Sequence, residues 1–298
     1  MLTFHPLSIE DKTWIDERVF ASGTRSADYS FGSMFMWDGR YRQLVCSFGG
    51  RLIALAHAHG APIYPFPVGT GELRPVIEAM REYAEANNFD FVIRGVEESG
   101  LEQLENLFPK KFSFTEDREF ADYVYRAEKL DTLSGKKLHA KRNYVNRFCA
   151  EREWSFRELR KEDFKRCMDL LKRWRAGEQE YDDDVSGEHA AIMRGFEHYD
   201  ALGLVGGALF VEGDMIAFTI GERISRDTVD VHFEKAVAEI DGAYPMVNRE
   251  FVRLLRARWP EIEYINREDD MGMENLRQSK LSYHPEYLLR KFTAAWVD

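Results

Sequence analysis

Five polar residues stand together where a short predicted strand, residues 262–266, ends: Asn266, Arg267, Glu268, Asp269 and Asp270. In open α/β sheets, ligands bind beyond the carboxyl ends of the strands. Charged side chains are costly to bury without partners, so their concentration at one junction favours a binding site. The alternative is a solvated loop that leads into a helix, because helix N-termini favour acidic residues.

Further candidates for acid–base chemistry lie on either side of this junction. Asp230, His232 and Glu234 alternate along a predicted strand, so we expect all three on one face of that strand. In a cleft, one such group could deprotonate an attacking amine, and Tyr283 or His284 could return a proton to the leaving group. Each of these residues taken alone also fits a structural role.

A strand-to-helix turn is predicted at Asp241, Gly242, Ala243 and Tyr244. Pro245 suits the first turn of the helix that follows, predicted at residues 245–259. Glycine at a helix N-terminus allows backbone N–H groups to approach a phosphate closely, so the turn is a candidate phosphate site. An ordinary strand-to-helix turn explains the same residues, since no further glycine stands at a fixed spacing.

Residues 136–175 carry 14 Lys and Arg against 6 Asp and Glu, in a chain of formal net charge −11. Lys137 and Arg142 belong to this segment and lie on a helix predicted at residues 134–152. Lys and Arg bind phosphates, so the segment is a candidate site for phosphate, pyrophosphate or the acceptor end of a tRNA. A solvated basic helix face is the alternative.

The composition indicates a folded protein in a reducing compartment. With 298 residues, of which 44% are hydrophobic and 13% aromatic, the chain can bury the cores of two domains. The net negative charge opposes non-specific attraction to nucleic acid or to anionic membranes. Cys46, Cys149 and Cys167 are far apart, which indicates neither a disulfide framework nor a zinc knuckle. A cytoplasmic location is therefore expected.

Several kinds of site lack their usual sequence signals. The start of the chain has no basic region followed by an apolar one, so we expect no secretory signal. The longest apolar run, residues 201–211, is too short to span a membrane. His57 and His59 have no third ligand at a recognisable spacing, and we expect no metal. The P-loop, the dinucleotide-binding glycine pattern and the serine hydrolase elbow are missing.

The order of the predicted elements repeats. Each half contains a β-meander, a helix, a strand, a helix and a closing strand, the last of these at residues 287–292. We predict two copies of one α+β architecture, in domains 1–133 and 134–298. Aromatic and Met residues recur at helical spacing in residues 29–37, which predicts core packing. A surface for a protein partner is the alternative for that stretch.

Three stretches resemble a known family: DYSFGSMFMW, SGKKLHAKRNYVNRF and YINREDDMGMENLRQSKLSYHP. They are similar to the C-terminal domain of bacterial phosphatidylglycerol lysyltransferases and its stand-alone relatives, the DUF2156 family, over nearly the whole chain. The resemblance implies two tandem folds of the GNAT (acyl-CoA N-acyltransferase) type. Each would be a mixed, mostly antiparallel sheet flanked by helices.

The resemblance also implies a chemistry, the transfer of an acyl or aminoacyl group from acyl-CoA or aminoacyl-tRNA to an amine or hydroxyl. The donor, coenzyme A in one version, would contact Val231, His232, Phe233 and the turn Asp241, Gly242, Ala243 and Tyr244. The acyl or acceptor end would be held by Lys137, Arg142, Asn266, Glu268, Asp270, Arg277 and Lys280. The residues assigned to catalysis are Glu234, Asp269 and Tyr283.

Two functions from different classes follow. The first is a cytoplasmic transferase without a membrane span, with tRNA as a possible partner. The second is a non-catalytic module that binds coenzyme A or another ligand in the same cleft. The second is suggested by the acetyltransferase glycine pattern, of which only Gly242 and Ala243 remain.

Overall fold

The computed structural model describes residues 2–58, 61–176 and 183–297. Fifteen strands lie within these ranges. They are β1 His5–Pro6, β2 Leu44–Phe48, β3 Arg51–Ala58, β4 Ala61–Pro65, β5 Val68–Gly69, β6 Val92–Val96, β7 Phe112–Glu116, β8 Asp122–Arg126, β9 Trp154–Glu158, β10 Val205–Val211, β11 Asp214–Arg223, β12 Thr228–Ala236, β13 Tyr264–Asn266, β14 Tyr287–Leu289 and β15 Phe292–Trp296.

Twelve α-helices lie in the same parts of the chain. They are α1 Lys12–Ser22, α2 Phe31–Met36, α3 Asp38–Tyr41, α4 Leu73–Ala86, α5 Glu98–Leu107, α6 Ala127–Thr132, α7 His139–Glu151, α8 Phe164–Ala176, α9 Asp183–Glu197, α10 Tyr199–Leu202, α11 Ala243–Arg258 and α12 Glu274–Leu281. Among the described residues, no helix is both long enough and apolar enough to cross a bilayer.

The strands form two sheets with matching topologies. The first sheet has the order β1-β2-β3-β4-β6-β15-β7, with β5 paired to β3, and the second has the order β14-β8-β13-β12-β11-β10-β9. Each contains a parallel pair, β4 with β6 and β12 with β13, and helices α4 and α11 connect these pairs. The predicted α+β fold with two tandem GNAT-like sheets flanked by helices is confirmed.

Each half of the chain contributes one strand to the other half's sheet. β8 lies between β13 and β14 in the second sheet, and β15 lies between β6 and β7 in the first. The two positions correspond, because each exchanged strand neighbours the second strand of a parallel pair. The domains 1–133 and 134–298 stay a prediction, but strand pairing crosses this boundary in both directions. Neither sheet is complete without the other half.

This exchange corrects the single closing strand predicted at residues 287–292. The structure has two strands there, β14 and β15, in different sheets. The chain changes sheets at Lys291, whose buried ammonium group lies 2.7 Å from carboxylate oxygens of both Asp28 and Asp122. Lys291 stands with Arg290 between two short apolar stretches, residues 287–289 and 292–296, which read as one continuous strand.

The elements nearest the interior form as the sequence predicts. The β2–β3 hairpin turns at Gly49 and Gly50, which both have positive φ, a conformation that glycine adopts without a steric penalty. Helix α4 buries Leu73, Val76, Ile77, Met80 and Ala84, whose spacing of three and four residues along the sequence is that of one helix face. Helix α2 buries Phe31, Met34, Phe35 and Met36. Core packing is thus confirmed for that aromatic stretch, and the same side chains are not exposed to a partner.

Candidate functional site

A β-bulge separates the three side chains predicted to share one face of β12. The register between β11 and β12 shifts by one residue at His232. An extra residue in one strand reverses the alternation beyond it. Asp230 and His232 therefore share one face, whereas Glu234 lies on the opposite face, where Asn248 of α11 donates to its carboxylate at 2.9 Å. The prediction of a common face was wrong, because a bulge leaves no clear mark in the sequence.

The two parallel strands of the second sheet separate beyond the bulge. β12 and β13 pair over three residues each and then diverge. Arg267, which follows β13, spans the gap and donates to Glu234 at 2.9 Å. Its guanidinium group also lies over the rings of Tyr283 and Tyr125, at 4.8 and 5.7 Å from their centroids. The predicted catalytic residues Glu234 and Tyr283 thus meet through Arg267.

The basic helix α7 reaches this gap through Lys141. The Lys141 ammonium group lies 4.2 Å from the centroid of the Tyr283 ring. Burial lowers the pKa of Lys141 and raises the pKa of Tyr283 well above its ordinary value. The Tyr283 hydroxyl is therefore neutral at physiological pH and able to donate a proton or a hydrogen bond.

Asp270, the last residue of the polar junction 266–270, connects that junction to helix α12. Its buried carboxylate accepts hydrogen bonds from Arg277 at 2.9 Å, from Arg118 at 3.2 Å and from the Tyr123 hydroxyl at 2.6 Å. Burial alone would raise the pKa of Asp270, but the Arg277 guanidinium group and the other donors lower it well below its usual range. Two of the residues predicted to bind substrate, Asp270 and Arg277, therefore bind each other.

Two further residues of the predicted site shape the backbone of the loop. The buried Lys280 ammonium group donates to the carbonyl oxygens of Arg267, at 2.6 Å, and Asp269. Asn266 accepts from the Glu268 N–H at 2.7 Å. Glu268 has a φ of 56°, a left-handed conformation that is uncommon for residues other than glycine. The loop is thus held in a shape that turns Glu268 towards β12.

Four carboxylates lie together beside the loop, those of Asp28, Glu97, Glu268 and Asp269, and we call the space next to them the acidic recess. The Asp28 side chain is 37% exposed and that of Glu268 is 29% exposed. Burial nevertheless raises the pKa of Asp28, of Glu97 and of Asp269, the last to about 7, and the charges of these groups and of Lys291 act on one another. The carboxylates thus interact with one another, while those of Asp28 and Glu268 remain partly accessible to water.

At the floor of this recess, His232 is surrounded by carboxylates. Its Nε2 lies 3.2 Å from Glu222, and its Nδ1 lies 3.1 Å from Glu268 and 3.4 Å from Asp230. Burial disfavours a charged imidazole, but these carboxylates raise the pKa of His232 well above its ordinary value. The backbone N–H of Gly32 donates to Glu222 at 2.7 Å, which ties the cluster to α2.

The predicted donor residues lie in three surroundings. Val231 and Phe233 are buried in hydrophobic clusters on opposite faces of the sheet, and His232 lies in the carboxylate cluster. At the start of α11, a Cβ on Gly242 would lie 3.0 Å from the carbonyl oxygen of Tyr144, so glycine permits close packing on α7. Ala243 is fully buried, Tyr244 is partly buried, and Asp241 pairs with Arg147 at 2.8 Å. A role in binding phosphate stays a prediction for this turn.

The basic residues at the start of α7 lie on the surface. Lys137 is exposed, and Arg142 donates to the carbonyl oxygen of Leu133 at 2.6 Å. Arg142 also lines an open cleft of about 380 Å³ with Gly135, Lys136 and His139. Of the two histidines at which no metal is expected, His57 contacts the carbonyl oxygen of Arg42, and His59 lies outside the described residues.

Sequence reasoning missed the residues that meet only through the exchange of strands. Asp28, Asp122 and Lys291 come from three distant parts of the chain and converge at the point where β8 and β15 begin. None of the three stands in a recognisable motif. The tandem fold is the one signal that could have suggested that strands of the two halves pair with each other.

Comparisons with known proteins agree with this architecture. The family described as phosphatidylglycerol lysyltransferase, C-terminal, matches residues 20–295. A conserved protein of unknown function from Bacteroides thetaiotaomicron is 35% identical, with all of both chains covered and a TM-score of 0.94. L-PGS from Bacillus licheniformis has the same fold, with a TM-score of 0.69 at 15% identity over 97% of this chain and 92% of that chain.

An uncharacterized protein of Mycoplasmoides gallisepticum is 25% identical over 174 residues, which are 57% of this chain and 54% of that protein. The chain thus spans about half the length of this curated relative. The family match covers nearly the whole chain, includes every strand except β1 and contains the loop, the recess and the strand gap. The chain belongs to the phosphatidylglycerol lysyltransferase C-terminal family, a family of aminoacyltransferase-like proteins.

Proposed function

We propose that this protein transfers an aminoacyl group from aminoacyl-tRNA to an amine or hydroxyl acceptor. The observation that carries the proposal is the acidic recess. The four carboxylates of Asp28, Glu97, Glu268 and Asp269 lie close to two buried ammonium groups, those of Lys291 and Lys280. A recess with this excess of carboxylates attracts a cation. An aminoacyl group carries an ammonium group, whereas an acetyl group is neutral.

The basic surface beside the site supports tRNA as the carrier. Lys136, Arg142 and His139 line the open cleft at the start of α7, and Lys141 of the same helix reaches the strand gap. Basic side chains supply the salt-dependent attraction to phosphates that tRNA binding requires. The acidic recess and the basic surface would then bind the two ends of one substrate, the aminoacyl group and the nucleic acid. A cytoplasmic location suits this donor and stays a prediction.

Asp269 is the residue that we assign to proton transfer. Its carboxylate lines the recess, where it would take the proton of the attacking amine or hydroxyl. The nucleophile adds to the ester carbonyl carbon, and the tetrahedral oxyanion collapses with cleavage of the bond to the tRNA oxygen. The protonated Asp269 would return its proton to that oxygen, which releases the tRNA hydroxyl. Such catalysis depends mainly on positioning and on stabilisation of the oxyanion. Glu234 and Tyr283, which both contact Arg267, would position that basic side chain beside the reacting ester.

Coenzyme A and its acyl thioesters are the alternative ligands. An acyl thioester would be the donor of a transferase, whereas coenzyme A would be the ligand of a non-catalytic binding module. Such a donor would lie along β12, with its phosphates near Asp241 and Gly242. Two contacts favour the ester donor over this alternative. Arg267 and Glu234 already span the gap between β12 and β13. Gly242 packs closely against α7, which limits the space for a phosphate.

Binding measurements distinguish these donors. We would titrate the protein with lysyl-tRNA, the same tRNA without its amino acid, and coenzyme A. We expect the charged tRNA to bind more tightly than the uncharged one, because only the charged form carries an ammonium group into the recess. Asp28→Asn and Glu97→Gln should reduce this difference. Glu274→Gln, which alters an exposed carboxylate on α12, serves as the matched control.

Transfer is then measured as the discharge of labelled lysyl-tRNA in the presence of an amine acceptor. Asp269→Asn should slow discharge while leaving the affinity for uncharged tRNA unchanged. Equal affinity for charged and uncharged tRNA, or no binding of either at high micromolar concentrations, would rule out the proposal. Tight binding of coenzyme A alone would establish the alternative instead.

A further inference from the structure

The cluster at the floor of the recess contains an unusual group, the Asp230 carboxylate. Asp230 is fully buried, and neither of its carboxylate oxygens has a hydrogen-bond donor among the described residues. A buried carboxylate without a hydrogen-bond donor is costly, because no hydrogen bond offsets its desolvation. Nδ1 of His232 lies 3.4 Å away and offers a charge interaction only.

We propose that Asp230, His232 and Glu268 form a binding site for a divalent transition-metal ion of the zinc class. One ligand atom from each of the three residues lies within 4.8 Å of the others. A metal ion would supply the missing partner of Asp230. This site is not apparent in the sequence, because Glu268 follows a different strand and the three residues have no recognised spacing.

The distances suit a tetrahedral ion. Ligand atoms about 2.1 Å from zinc lie roughly 3.4 Å apart in tetrahedral geometry. Nδ1 of His232 is 3.4 Å from Asp230 and 3.1 Å from Glu268, close to that edge length. One oxygen of each carboxylate lies within 4.8 Å of the other, and Glu268, with a 29% exposed side chain, has the freedom to move closer. Nitrogen and oxygen ligands together favour zinc, cobalt or manganese over magnesium or calcium.

The surroundings of His232 match those of metal-bound histidines. Such histidines donate their second ring N–H to a carboxylate, which fixes the tautomer and leaves the other nitrogen free for the metal. Glu222 occupies this position, 3.2 Å from Nε2. It is fixed in turn by the backbone N–H of Gly32 at 2.7 Å. A fourth coordination position would face the acidic recess and remain available to water or to a ligand.

Zinc binding to the chelator-treated full chain tests this site directly and requires no knowledge of the substrate. We expect about one zinc ion per chain by equilibrium dialysis and elemental analysis. Zinc should raise the melting temperature, and cobalt(II) should give the absorption spectrum of a tetrahedral complex. Asp230→Asn and His232→Gln should abolish these changes, and Glu222→Gln should weaken affinity roughly 10- to 100-fold.

His139→Gln is the matched control, because His139 is exposed on α7. Asp230→Asn should remain folded, since it removes a buried charge without changing the size of the side chain. No zinc bound at a free concentration on the order of 50 μM would overturn the proposal, as would unchanged binding in both Asp230→Asn and His232→Gln. These readouts are independent of aminoacyl transfer, so the metal site and the proposed function can fail separately.

Discussion

Replacing Lys291 by methionine tests whether one buried ammonium group holds the exchanged strands together. Lys291 precedes β15, and its Nζ lies 2.7 Å from Asp122 at the start of β8 and 2.7 Å from Asp28. The side chains of Lys291 and Asp122 are 2% and 1% exposed. Methionine preserves the apolar length of the side chain but leaves both carboxylates without their cation.

The expected loss follows from the burial of the partners. Removing one member of a buried ion pair costs about 3 to 5 kcal/mol of unfolding free energy. Asp28 is partly hydrated, so most of the loss comes from Asp122, and we expect the lower end, about 3 kcal/mol. Because domains are stable by only about 5 to 15 kcal/mol, this is a large fraction of the total.

Urea denaturation at neutral pH measures this loss. Lys129→Met is the control, since Lys129 pairs with Glu286 on the surface and should cost less than about 1 kcal/mol. Both variants should unfold in one transition, because each sheet contains a strand from the other half. A loss for Lys291→Met no larger than that of the control would refute the role of this ion pair. Separate transitions for the two sheets would refute the coupling.

Three further predictions concern other parts of the fold. Gly32→Ala should destabilise the protein by about 1 to 3 kcal/mol, because the added Cβ would lie 2.4 Å from Glu222. Gly39→Ala is the control and should cause no such loss, because the space around Gly39 is open. Equal melting temperatures of the two variants would contradict this prediction. Arg267→Met should cost about 3 kcal/mol by leaving Glu234 unpaired, and changing Glu234 to methionine as well should restore most of that loss in urea denaturation. Burial opposes ionisation of Asp227, but hydrogen bonds from Arg25 and other donors lower its pKa to about 2. The charged carboxylate therefore stabilises the fold above pH 4, and this stabilisation disappears as the pH falls towards 2. Asp227→Asn should therefore cost about 1 kcal/mol at pH 7 and nothing near pH 2, and a loss independent of pH would contradict this.

Local patterns in the sequence were sufficient for most elements of the fold. The spacing of Leu73, Val76 and Met80 predicts α4, and the paired glycines predict the β2–β3 hairpin, because both signals act between residues close in the chain. The repeated order of elements predicted two α+β copies. The polar junction after β13 was also visible, since charged residues at the end of an apolar strand are conspicuous.

Local sequence patterns did not predict how the residues of the site are arranged. The bulge at His232 turns Glu234 to the opposite face, and it depends on the pairing of β12 with β11 rather than on any local signal. Within the junction, Glu268 and Asp269 lie beside the acidic recess, whereas Asp270 has a structural role because it binds Arg277. Residue type alone does not separate these roles, because a carboxylate can serve in either.

The sequence by itself determined the elements, the tandem fold and the location of the polar junction, because hydrophobic periodicity and turn chemistry are local properties. Only the tertiary structure decided that β8 and β15 exchange sheets, that Lys291 joins Asp28 and Asp122, and that Asp230 meets Glu268 across His232. These contacts join residues up to 263 positions apart. Their energies arise from burial and charge pairing in the folded chain, which no short stretch of sequence contains.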